Sequence, residues 1–481
     1  MAMTGSNELA WMPAHKLREM IANHQISPVD LTQVSLDRID KFNGQLNAFL
    51  TTIPEKALES ARDAEQDLMS GKKLGPLHGI PISIKDLEPM AGVRFTSGSL
   101  IYKDRIADSD SLSVKRIKDA GGLILGKTNT SEYGHIGTNE NRLGDACRNP
   151  WNVERTSGAS SGGAGSSVAA GITALAQGSD GAGSVRIPSA FCGIFGIKAT
   201  QGRVPRYSTG IDSWHWFNYS SIGPMARDVT DAAILLDVLS GPDDEAEHLT
   251  IQEDPPDYIK ALGRGVKGLK VAYSPDIGGV AVDPEVREIV GQAVQTFEDM
   301  GALVEEPRFR IDSPEAMLDL LMTIWRCRSF ALNGALLNQR ELLTDYFRDG
   351  LEGGQKVTGD QLWHAYSRLE FYRNYIQTFF TNYDLLLTPT LATPAFKIGE
   401  HPTVIDGVKV PDKLWGFTPF TYPFNWSGNP AATAPAGFSS DGLPIGLQIV
   451  GRWGDEETVI AASKAFEDAR PWADKFPTEF K

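Results

Sequence analysis

The chain has 481 residues, a formal net charge of −15, 41% hydrophobic and 22% charged residues, 48 Gly and 28 Pro. That profile is globular and loop-rich, and an acidic chain with no dense Lys/Arg run excludes nucleic acid as a partner, because such binding depends on cations that displace phosphate counterions. Three widely spaced cysteines (Cys147, Cys192, Cys327) suggest neither a disulfide framework nor a CxxC metal site and point to a reducing cytoplasm. The stretch MAMTGSNELAWMP lacks the basic and apolar regions of a leader, and no run of 18 apolar residues occurs, so neither secretion nor a membrane span is expected.

In SPVDLTQVSLDRIDKF, Ser27 stands at a cap position, Pro28 at the first helical position, and Val29, Leu31, Val34, Leu36 and Ile39 fall mainly on one side; a surface helix is predicted to Phe42. A second, polar helix runs from about Pro54 to Ser70, stopped by Gly71. In LHGIPISIKD, Ile80, Ile82 and Ile84 alternate with Pro81, Ser83 and Lys85, which predicts a strand with Lys85 on the face opposite the isoleucines. A short helix over Ser111–Ala120 leads into Gly-Gly-Leu-Ile-Leu-Gly, and LKVAYS (269–274) and DLLLTPT (384–390) read as buried strands. The alternation of helix and strand indicates an α/β layered architecture. Residues 156–210 are dense in Gly, Ser and Ala, yet VAAGITALA and FCGIFGIK must be buried, so the segment is close-packed backbone rather than a linker.

Two short motifs invite readings that their context weakens. Gly121-x-x-x-x-Gly126-Lys127-Thr128 matches the phosphate-loop pattern, but a helix precedes it and Leu123-Ile124-Leu125 fills the loop with strand residues. Gly158-Ala159-Ser160-Ser161-Gly162 matches GxSxG, the elbow that presents an esterase nucleophile. That alternative needs a histidine, and the candidates His215, His248, His364 and His401 stand in unmarked contexts.

The longer span TSGASSGGAGSSVAAGITALAQGSDGAGSVRIPSAFCGIFGIKATQGRVP (156–205) resembles the defining segment of the amidase signature family: a Gly/Ser-rich run, then G-S/T-D, G-S-x-R-x-P, C-G and G-x-K-x-T-x-G-R. GIPISIKD around Lys85, GKTNTSEYGHIGTNEN (126–141), IGPMARDVTDAA (222–233) and NWSGNPAATAPAGFSSDGLPIGLQIVG (425–451) extend the resemblance over nearly the whole chain. It implies a single α/β/α layered domain over residues 1–481, its twisted mixed sheet covered by helices on both faces, with a helical segment about 1–72, a signature core about 73–235 and a remainder about 236–481. It also implies a Ser-Ser-Lys triad: Ser184 as acyl-accepting nucleophile, Ser160 as bridging serine after a cis peptide bond, and Lys85 as terminal base, with no metal or cofactor. The backbone N–H groups of Gly181, Ala182, Gly183 and Ser184 would form the oxyanion hole.

Those residue types suit amide hydrolysis. A serine hydroxyl needs a base within hydrogen-bond reach, and a lysine serves only if burial or nearby positive charge lowers its pKa from about 10.4. Ser160 would relay the proton from Ser184 to Lys85 and return it to the departing amine. The chain departs from the family pattern at Gly181-Ala182-Gly183, where a non-glycine residue followed by two glycines is usual; at Ala159, which replaces glycine; and at Ala199, which replaces proline. Alanine resists positive φ, which puts the donor geometry at Ala182 in question.

Asp180 and Arg186 are expected to orient the nucleophile loop, and Cys192 to be a buried structural thiol. His135 either faces the substrate or is held structurally by a hydrogen bond. Tyr133, Gly134 and the aromatic segment Trp214, His215, Trp216, Phe217 and Tyr219 are expected to wall a pocket for an aryl or bulky apolar group. The expected activity is hydrolysis of a small-molecule amide, with anilide, ester or aryl carbamate substrates open to the same machinery and a homodimer allowed. The alternatives are the glutamine-hydrolysing component of a tRNA amidotransferase, working beside a companion chain, and an esterase built on Ser160 with a histidine.

Overall fold

The computed structural model describes residues 6–206, 219–246 and 249–481. Eleven strands form one sheet, in the order Phe49–Thr52, Leu123–Thr128, Pro81–Lys85, Leu175–Asp180, Ser221–Ala226, Phe195–Lys198, Ala431–Phe438, Pro444–Gly451, Leu385–Pro389, Lys270–Tyr273 and Leu303–Glu305. The sheet is mixed: Pro81–Lys85 runs parallel to both its neighbours, and an antiparallel block around Ser221–Ala226 and Ala431–Phe438 separates it from a second parallel group at Leu385–Pro389. The central strands are buried along their whole length, as layers of helix over both faces require. No helix among the described residues is long and apolar enough to cross a membrane.

The expected helices are present. Ser27 caps Pro28–Leu46 by accepting from the N–H of Val29 at 3.0 Å, Pro54–Met69 stops before Gly71 (φ 74°), and Ser111 caps Leu112–Asp119. The first helix continues four residues beyond Phe42, because Leu46 is fully buried and Asn47 takes the left-handed conformation that closes it.

The Gly/Ser/Ala stretch is close-packed, as its apolar runs VAAGITALA and FCGIFGIK imply. Helix Gly162–Ala169 is buried on every side, and a Cβ on Gly163 would stand 2.2 Å from the carbonyl oxygen of Ala48. This approach of backbone to backbone sets the serine-rich segment against residues that adjoin the strands Phe49–Thr52 and Leu123–Thr128. The phosphate-loop match is a strand, Leu123–Thr128, whose Lys127 is buried and paired with Asp86 at 3.1 Å.

Candidate active site

Lys85 ends its strand, and Ser179 and Asp180 end the neighbouring parallel strand; both open onto the carboxyl edge of the sheet, where α/β folds place their ligands. Lys85 is fully buried. Its Nζ lies 2.7 Å from Ser160 Oγ, 3.1 Å from Ser179 O and 3.1 Å from Ser179 Oγ. Burial lowers its pKa to about 7 against the opposing pull of Asp180 and Glu88, with Arg206 adding to the fall. A neutral amine fits these three contacts: two N–H bonds go to Ser179, and the nitrogen lone pair accepts from the Ser160 hydroxyl.

Ser160 follows a cis peptide bond after Ala159 and precedes helix Gly162–Ala169. The Ser161 N–H donates to the Ser184 carbonyl at 3.1 Å, which ties the two serine segments together. Exposure rises from 0% at Lys85 through 2% at Ser160 to 8% at Ser184, so Ser184 is the most exposed of the three. Both serines line one cavity of about 380 Å³.

The loop before Ser184 is held from below. Asp180 and Arg186 form a fully buried two-pronged pair, Nε–Oδ2 and Nη2–Oδ1 both 2.9 Å, and Arg186 also donates to Thr421 O, Gln448 Oε1 and Asn425 Oδ1. Burial pushes the Asp180 carboxyl up, but Arg186 and the Asn425 amide outweigh it and hold the group below the usual range. Asp180 Oδ1 accepts from the Gly183 N–H at 2.7 Å, so that donor, expected in the oxyanion hole, already has an acceptor. Among the described residues the N–H groups of Gly181, Ala182 and Ser184 meet none. The question over Ala182 resolves at its neighbour: Gly183 carries the positive φ (126°), and Ala182 is anchored by Thr421 Oγ1, which donates to its carbonyl at 2.7 Å.

Tyr133, Gly134, His135 and Tyr219 line the cavity. A Cβ on Gly134 would lie 3.0 Å from Ser160 Oγ, so glycine keeps that hydroxyl accessible. His135 Nδ1 accepts from Trp325 Nε1 at 2.9 Å, so the residue is both wall and hydrogen-bonded support. Trp214, Trp216 and Phe217 lie outside the described residues, as do His215 and His248. His364 and His401 are absent from the described cavity wall, which leaves the esterase alternative without either partner for Ser160. Cys192 is buried and its thiol pushed up by burial, in keeping with a structural role. The wall also contains residues that carry no sequence mark, among them Phe95, Tyr102, Trp325 and Phe347, together with Arg105, Arg206 and Arg328. Arg206 pairs with Glu88 at 2.9 Å, and Arg105 packs over the rings of Phe95 and Tyr102.

The family model described as Amidase matches residues 30–460. The chain belongs to the amidase signature family. An acylamidase from Rhodococcus erythropolis is 38% identical to this amidase over 99% of both chains. A component of the glutamyl-tRNA(Gln) amidotransferase of Moorella thermoacetica is 35% identical over 98% of this chain and 99% of its own. Among solved structures, a bacterial aryl acylamidase of the amidase signature family superposes with a TM-score of 0.91 at 31% identity, covering 97% of this chain and 98% of that one. A 6-aminohexanoate cyclic dimer hydrolase in complex with substrate gives 0.87 at 30% identity over 98% and 100%. The amidase is thus a hydrolase of carbon–nitrogen bonds.

Proposed function

We propose that this amidase hydrolyses small carboxylic amides with an aryl or bulky apolar group through an acyl-enzyme on Ser184. The observation that carries the reading is the buried Lys85 amine 2.7 Å from the Oγ of Ser160, which lines the same cavity as Ser184. Ser184 Oγ attacks the carbonyl carbon and its proton passes to Ser160, whose own proton passes to Lys85 Nζ. The oxyanion is met by the N–H groups of Gly181, Ala182 and Ser184, each such donor being worth about 3–4 kcal/mol in comparable sites. Collapse breaks the C–N bond as Ser160 protonates the leaving nitrogen and regains a proton from Lys85. Water then releases the acid from Ser184 by the same relay. No step calls on a metal or cofactor. The rings of Phe95, Tyr102, Tyr133 and Trp325 support the aryl or apolar preference, and anilides, esters and aryl carbamates present the same carbonyl to the same groups.

A second reading is hydrolysis of the glutamine side chain, as part of a tRNA-dependent amidotransferase. The full-length similarity to a component of such an enzyme favours it. Treating the protein with a fluorophosphonate and locating the modified serine by mass spectrometry tests the nucleophile: modification is expected at Ser184, and modification at Ser160 alone would favour the esterase. Comparing kcat/KM for p-nitroanilides, aliphatic amides, aryl carbamates and glutamine tests the substrate class. Aryl substrates are expected to lead; glutamine far ahead, with a copurifying companion chain, would replace the first reading by the second.

A further inference from the structure

Gly181 stands where the family pattern has a larger residue, and its backbone does not explain the glycine, because the positive φ of this loop falls on Gly183. Space explains it. A Cβ on Gly181 would lie 3.3 Å from Trp325 Cη2 and 3.4 Å from Cζ3, a tight contact for a methyl and a clash for anything larger, so the tip of the indole faces the loop that leads to Ser184 across the space a side chain would take. Trp325 comes from helix Pro314–Asn333, more than 140 residues along the chain from Gly181. Its opposite edge is tied down: Nε1 donates to His135 Nδ1 at 2.9 Å, and the ring meets Trp415 edge-on at 6.1 Å. His135 is itself wedged, in edge contact with Phe347 at 5.2 Å and against Gly350, where a Cβ would come within 2.3 Å of Nε2. Burial lowers the His135 pKa to about 3, so its Nδ1 lone pair is available to the indole throughout the neutral range. Trp325 and His135 both face the cavity that holds Ser160 and Ser184.

We propose that Trp325 is the size-limiting wall beside Ser184, that His135 is the positioning residue which holds it there, and that Gly181 is the notch which receives it. This rests on the reading of Ser184 as nucleophile. A rigid indole against the oxyanion loop sets the width available to the substrate group on that side, and each methylene admitted or refused by an apolar pocket changes kcat/KM by about tenfold or more.

The test is kcat/KM of the full chain for two homologous anilide series, one lengthening the acyl chain with a fixed aniline, the other enlarging the aniline with a fixed acyl group. Trp325→Ala is expected to shift the large-to-small preference by about tenfold or more in one series. His135→Leu should shift the same series, mainly through KM, whereas His135→Asn, which keeps an acceptor near Nδ1, should retain the original preference. Gly181→Val should depress all substrates, and adding Trp325→Ala should restore turnover. Fluorophosphonate labelling of Ser184 separates the failures. If Ser184 labels normally in Trp325→Ala and His135→Leu but neither series changes its preference, the wall assignment is wrong. If Ser184 does not label in the unaltered protein, the nucleophile assignment falls instead. Should Trp325→Ala fail to fold, Trp325→Phe, which loses the hydrogen bond and keeps most of the bulk, should move the preference in the same direction by less; no movement in a folded Trp325→Phe together with none in His135→Leu would overturn the proposal.

Discussion

Lys85 has three polar neighbours and one free choice, its proton. As an ammonium it donates to all three; as an amine it donates twice to Ser179 and accepts from Ser160, and only that form draws a proton through Ser160. With a pKa near 7, the amine predominates above neutrality, so kcat/KM should rise with pH through about 7 and level off above it. Lys85→Ala is expected to cost about 10²–10⁴-fold, the usual worth of a positioned base, and Ser184→Ala to abolish turnover. His364→Ala and His401→Ala should leave substantial activity. A histidine variant as inactive as Ser184→Ala, measured with the same anilide, would count against the triad. Asp180 acts one step removed: Asp180→Ala leaves the buried Arg186 guanidinium unpaired, for which about 3–5 kcal/mol of stability should be lost in urea unfolding.

At the scale of elements, the site depends on backbones that approach where no side chain intervenes. A Cβ on Gly163 would meet Ala48 O at 2.2 Å and Asn129 N at 2.3 Å, both backbone atoms that cannot swing aside. Gly163→Ala is therefore expected to destabilise by at least the 1–3 kcal/mol typical of overpacking, with a lower urea midpoint. Local signals of this kind were legible: the caps at Ser27 and Ser111, the period-two strand that ends at Lys85, and the burial of a Gly/Ser run that composition alone would call a linker. The end of helix Pro28–Leu46 was not, since it is set by burial of Leu46 in the folded chain rather than by the polar Asn43-Gly44-Gln45 that precedes it. Nor was the sheet order, in which Phe195–Lys198 pairs with Ala431–Phe438 across more than two hundred residues. For the same reason Trp325 carries no mark in the sequence: it reaches the site by tertiary packing, with no motif around it. Ser179 had a signal, the G-S-D element of the resembling span, but its bonds to Lys85 appear only when the two strands lie side by side.

Across the whole molecule, the core holds a second lysine whose pKa is lowered by burial. Lys198 is fully buried, its Nζ donates to Ala199 O at 2.8 Å, and burial, with Arg186 nearby, lowers its pKa to about 7. Between that value and 10.5 the unfolded chain takes up a proton that the folded chain does not, so protonation favours unfolding there. The stability contribution is present above 10.5 and shrinks as pH falls to about 7. Wild type should therefore lose stability relative to Lys198→Met as pH is lowered from 10.5 to 7, with no further divergence below; urea unfolding of the pair across that range is the measurement. The same physics, a dry lattice of strands that keeps an amine uncharged, is what the catalytic proposal needs at Lys85. It is tested most directly by the rate at which a fluorophosphonate modifies Ser184 as a function of pH, in wild type and in Lys85→Ala. The expected result is a rate that climbs through about pH 7 in wild type and is low and without that inflection in the variant. A rate indifferent to the loss of Lys85, or a wild-type profile flat across neutrality, would contradict a neutral lysine acting through Ser160.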